Sequence, residues 1–109
     1  MMSGFDDRIY RKFLGMSGLA ARAGKVICGA ELCGNAVKRG KVFLVVLAED
    51  TAANTAEKIM KVCGNRVVPV ITAGNMDSLG RSVGKEGIAV FGVTDNSFAV
   101  RIMELYKLL

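Results

Sequence analysis

Glu31, Asn35 and Lys38 follow one another at i, i+4 and i+7 within the segment CGAELCGNAVKRGK (residues 28–41). On a helix that spacing sets a carboxylate, an amide and an ammonium in one line. The first only accepts hydrogen bonds, the last only donates, and the amide does both. This is equipment for reading a polar surface rather than for breaking bonds. Gly29 stands where the segment turns into its helix, and a residue without a side chain leaves the first helical amides open to an anion. Lys25, Lys38, Arg39 and Lys41, with Lys85 in SVGKEG, supply positive charge of the kind that holds phosphate. Lys38 and Arg39 also suit the negative end of the helix macrodipole, so their charge alone fits either role.

Catalytic chemistry finds little support. The chain has no His, and neither Ser17 nor Ser78 has a base near it in sequence. Glu49 and Asp50 are adjacent at a strand end; along a strand they would point to opposite faces, so they could pair as acid and base only in an irregular loop. AGKVICGA and SVGKEG each contain Gly-Lys but lack the glycine spacing and the following Ser or Thr of a nucleotide-phosphate loop. Cys28, Cys33 and Cys63 are odd in number, lie in apolar surroundings and have no zinc-ligand spacing, which predicts reduced and mostly buried thiols. The expectation is a protein that is not an enzyme and carries no metal, cofactor or small-molecule substrate.

The elements that must position these residues follow from periodicity. Ile9, Phe13, Met16 and Ala20 recur at helical intervals between Asp6 and Ala23, with a break expected near Gly15–Gly18. KVIC (25–28) reads as an edge strand. In the quoted segment Leu32, Cys33, Ala36 and Val37 form the apolar face, and Gly40 ends the helix. VFLVVLA (42–48) shows no polar alternation and suits a central strand covered on both sides. A helix over Thr55–Cys63 precedes the strand VVPVIT (67–72), where Pro69 removes a donor and favours strand entry or an edge position. A short helix over Asn75–Val83, a strand over Ile88–Thr94 and a helix over Asn96–Leu108 complete the chain. Helices alternating with strands predict an α/β fold, a three-layer α/β/α sandwich. At 109 residues and 51% hydrophobic, one domain over 1–109 is expected. Loops CGAE, AEDTAAN and GKEG would meet at one end of the sheet if its strands run parallel.

The formal charge of +5 favours a polyanionic partner. The N-terminal MMSGFDDRIYRKF has no apolar core of a signal, and no aliphatic run approaches the roughly 20 residues of a membrane span, so a cytoplasmic protein is expected.

The stretch from GAELCGNAVKRGK through VFLVVLAED to CGNRVVPVI, followed by LGRSVGKEG, resembles the ribosomal-protein family of the archaeal seven-Ae and eukaryotic thirty-e large-subunit proteins. Its bacterial members are small ribosomal-protein-like RNA binders. The resemblance covers about Leu19 to Leu105. It implies a four-stranded mixed sheet and RNA binding, typically at a kink-turn, on ribosomal or other structured RNA, with the ribosome itself as a partner. In that family the second helix opens with Gly-x-Asn-Glu-x-x-Lys. Anchored at Gly29 and Arg39-Gly40, the Asn corresponds to Glu31, the Glu to Leu32 and the Lys to Asn35. The helix frame is kept and all three side chains differ. The implied RNA-binding surface comprises Lys25, Gly29, Glu31, Leu32, Asn35 and Lys38, with Glu49 and Asp50 after the central strand and Lys85 and Glu86 in the GKEG loop. The alternative is a protein-interaction module on the same scaffold.

Overall fold

The computed structural model describes residues 6–109; the part of the N-terminal stretch read for a signal that falls in residues 1–5 lies outside them. The elements are α1 (Asp7–Arg22), β1 (Val26–Cys28), α2 (Ala30–Lys38), β2 (Leu44–Leu47), α3 (Ala53–Arg66), β3 (Val70–Thr72), α4 (Met76–Ser82), β4 (Val90–Val93) and α5 (Asn96–Lys107). Their order is the predicted one. The Asp6 carboxylate starts α1 by accepting from the amides of Arg8 at 3.0 Å and Ile9 at 3.3 Å. Contrary to the expected interruption, α1 runs unbroken through Gly15 and Gly18. Gly18 is there for packing: a Cβ on it would lie 2.7 Å from the Ser82 carbonyl oxygen, so only glycine lets the end of α4 approach.

The four strands form one mixed sheet in the order β1-β4-β2-β3. β4 is antiparallel to both β1 and β2, and β2 is parallel to β3. β3 begins only at Val70, after Pro69, and lies on the sheet edge, as a missing donor requires. β2 is buried along its whole length. Its successive residues feed opposite faces: Leu44 and Val46 join Phe13, Ile71, Leu79, Phe91 and Ile102 under α1, α4 and α5. Val45 and Leu47 join Cys33, Val37, Ile59, Cys63 and Val90 under α2 and α3. Each such fully buried aliphatic or aromatic side chain contributes roughly 1.5–3 kcal/mol. The result is the three-layer α/β/α sandwich, with α2 pressed on β4 closely enough that a Cβ on Gly92 would sit 2.9 Å from Cys33 Sγ.

Candidate nucleic-acid interface

The predicted loop convergence is present, but for a reason other than parallel strands. β1, β2 and β3 all end at the same edge of the sheet, and β4 starts there because it runs against them. In an all-parallel sheet the GKEG loop, which precedes β4, would have emerged at the far end.

Backbone hydrogen bonds knit this end together. Gly29 N–H donates to Val90 O at 2.9 Å, Ala48 N–H to Ala89 O at 2.8 Å, Glu49 N–H to Gly74 O at 2.8 Å and Ile88 N–H to Met76 O at 3.1 Å. The Thr51 hydroxyl donates to Ala48 O at 2.7 Å, with Ala89 O at 3.2 Å. The loops are therefore a fixed platform on which exposed side chains are displayed.

Gly29 has φ of +100° and caps α2 without a side-chain hydrogen bond. Its own amide is consumed by Val90, so the donors available to an anion are those of Ala30, Glu31 and Leu32, which precede the first helical bond from Cys33 N–H to Gly29 O. Glu31, Asn35 and Lys38 are exposed along one side of α2 as expected. Leu32 departs from its expected place on the apolar face and is 64% exposed. The buried stripe is Cys33, Gly34, Ala36 and Val37, because Gly34 faces Ile59 of α3 and turns the centre of the stripe away from Leu32.

Glu49, Lys85 and Glu86 are exposed on the platform. The loop bearing Lys85 and Glu86 is seated by Lys85 N–H donating to Gly80 O at 2.7 Å. It lies so close to α4 that a Cβ on Gly80 would be 2.7 Å from Gly87 Cα. Asp50 is exposed as well, and its Oδ1 accepts from Met76 N–H at 2.8 Å, which fixes the start of α4. Lys25 does not join the group. It precedes β1, where Thr94 N–H donates to its carbonyl at 2.9 Å, and the strand carries it about 10 Å to the opposite end of the sheet.

The three cysteines are free thiols, with Cys33 and Cys63 buried. Burial raises the Cys28 thiol, opposed by the nearby Lys85 charge, and raises Cys63. Burial, reinforced by Cys63 and Cys28, pushes Cys33 up to about 12. Burial thus favours the neutral thiol at all three. Among the described residues no helix is long and apolar enough to cross a membrane.

One feature of this face had no signal in the periodicity. Between α2 and α3 runs a groove of about 600 Å³ lined by Glu31, Asn35 and Lys38 on one side and Thr55, Lys58 and Lys61 on the other. Lys58 and Lys61 went unnoticed because α3 is recognised by its apolar residues, and its polar face acquires meaning only when α2 is laid beside it.

Residues 12–102 match the ribosomal protein L7Ae/L30e/S12e/Gadd45 family. The chain belongs to that family. Its similarity is strong to the RNA-binding protein YlxQ of Bacillus subtilis (strain 168), 40% identical over 88 residues, 81% of this chain and 88% of that protein. The YlxQ of Enterococcus faecium is 34% identical over 97 residues, covering 89% and 93%. Among solved structures, a Bacillus halodurans protein of unknown function superposes with a TM-score of 0.86 at 38% identity, covering 88% of this chain and 97% of the other. The Giardia lamblia 15.5kD RNA binding protein shares the fold, with a TM-score of 0.75 at 21% identity over 96% and 93% of the two chains. The platform at the Gly29 end is thus carried on a sandwich of this family.

Proposed function

We propose that this protein is a noncatalytic RNA-binding protein of one domain, acting in the cytoplasm on ribosomal or other structured RNA, in association with the ribosome. The observation that carries the reading is the open first turn of α2, uncapped by any side chain, standing beside the exposed Lys85 loop and the Glu31–Asn35 line. The RNA-binding names of its YlxQ relatives support the same class. A radius of gyration of 12.7 Å agrees with the roughly 13 Å of a compact domain this long.

In this reading the Ala30–Leu32 amides, Lys38 and Lys85 hold phosphates and fix position. Glu31, Asn35, Glu49 and Glu86 accept from base edges or ribose hydroxyls and specify. Asp50 acts indirectly, by holding α4. Lys25 lies outside this footprint.

Filter binding of ribosomal RNA between 50 and 200 mM salt tests it. Lys85→Ala should lower the salt slope by about 0.7–0.9. Gly29→Val should abolish binding at parental concentrations while the circular-dichroism spectrum stays folded, because a β-branched residue at that φ obstructs the first turn. Parental affinity in both variants would overturn the site, and a parent that binds no RNA at physiological salt would overturn the function. Co-sedimentation with ribosomal subunits tests the ribosomal partner.

A further inference from the structure

The positive charge of the chain is segregated. Residues 29–41 and 53–66, which form α2, α3 and their C-terminal turns, carry six cations (Lys38, Arg39, Lys41, Lys58, Lys61 and Arg66) against two carboxylates, Glu31 and Glu57. The rest of the chain carries nine against eight. Ion pairing divides in the same way. Arg11–Asp7 at 3.6 Å, Arg81–Asp77 at 2.8 Å and Arg101–Glu104 at 3.9 Å all lie on α1, α4 and α5. Among the described residues no cation of the α2–α3 layer is ion-paired, although Glu57 precedes Lys61 by one turn.

Helix dipoles account for part of this surplus and not for the rest. Lys38 and Arg66 occupy last turns, where cations are favoured. Lys58 and Lys61 sit in the middle of α3 and gain nothing from the dipole. They face Asn35 and Lys38 across the groove, over a floor of Gly34 and Ile59. Both helices start at the Gly29 end of the sheet and run away from it, so the groove is continuous with the proposed RNA platform. Its α2 wall runs from Glu31 through Asn35 to Lys38 and its α3 wall from Thr55 through Lys58 to Lys61, so positive charge increases along both walls. α2 is nine residues long, so the groove wall it forms runs about 13 Å.

We infer that the α2–α3 groove carries the phosphate backbone of an RNA strand leaving the Gly29 platform, with Lys38, Lys58 and Lys61 as its contacts. This rests on the RNA reading above and extends its footprint to the far end of α2.

The test compares three variants on deproteinised ribosomal RNA, each checked for folding by circular dichroism. They are Lys58→Ala/Lys61→Ala in the groove, Lys85→Ala on the platform, and Arg101→Ala/Lys107→Ala on α5 as a charge-matched control. The groove variant should lose affinity several-fold and lower the salt slope by about 1.4–1.8, two contacts' worth, while the control keeps the parental slope. Equal losses in groove and control variants would mean general charge only and would overturn the inference. An unchanged groove variant alongside a weakened Lys85→Ala would also overturn it, while leaving the platform reading intact. A weakened groove variant with an unaffected Lys85→Ala would support the groove and move the footprint off the platform. A parent without salt-dependent RNA binding would overturn both and point to an acidic protein partner.

Discussion

Three residues separate this helix from the pattern its family resemblance implies, and the structure makes their replacement a clean experiment. Glu31, Leu32 and Asn35 are all exposed, so none of the three holds the core. Leu32 is the informative one, since its face seen from sequence alone was apolar and its actual surroundings are solvent. The native side chains cannot reproduce an Asn–Glu–Lys reading, because Glu31 has no donor and Leu32 has no polar group. Weak kink-turn binding follows for the parent. Glu31→Asn, Leu32→Glu and Asn35→Lys together should raise kink-turn affinity on the order of a hundredfold, two good base contacts at about 1–3 kcal/mol each. The melting temperature should barely move, because exposed substitutions change stability little. A kink-turn and a plain duplex of equal length are to be measured side by side. Equal gains on both would reduce the effect to added positive charge, and no gain in a folded variant would show the alignment at Gly29 to be misplaced.

At the scale of elements, the alternation of helix and strand was legible because buried stripes and aliphatic runs leave periods in the sequence, and Pro69, expected at strand entry or on an edge, stands just before the edge strand β3. Strand order and direction were not, since nothing local in IAVFGVT says that β4 is inserted antiparallel between β1 and β2. The start of α3 at Ala53 was missed by two residues for a related reason: no side chain caps it, so no capping signal exists to read. Glycines were misjudged when taken only as breaks. Gly80 and Gly64 separate the two meanings. A Cβ at Gly80 would collide with backbone, Gly87 N at 2.8 Å and Lys85 O at 3.0 Å, whereas one at Gly64 in α3 meets nothing within 4 Å. Gly80→Ala should therefore cost about 1–3 kcal/mol and push the Lys85 loop off α4. Gly64→Ala should add about 0.4–1 kcal/mol by restricting the unfolded chain. Urea melts give the two signs, and RNA binding should fall for Gly80→Ala alone. A neutral Gly80→Ala would mean that the α4–β4 loop is free to relax and that its placement of Lys85 is not enforced by packing.

For the whole molecule, the net charge was visible in the sequence but its segregation was not, because cations from two helices twenty residues apart meet only after β2 passes between them. That layout sets two salt dependences of opposite sign. Six cations on one layer with two carboxylates repel one another, and salt screens the repulsion as the Debye length falls from about 30 Å at 0.01 M to about 8 Å at 0.15 M. Thermal stability should rise with NaCl over that range, by on the order of 0.5 kcal/mol or about 2–4 °C in Tm. RNA affinity should fall over the same range through counterion release. Lys58→Glu/Lys61→Glu leaves four cations against four carboxylates on the layer, so its Tm should lose the salt dependence and its RNA binding should weaken further than that of the alanine pair. Differential scanning fluorimetry across the salt series, for parent and variant together, decides the matter. Parallel Tm curves would assign the rise to general salt effects on burial and would remove self-repulsion from the α2–α3 layer as its cause.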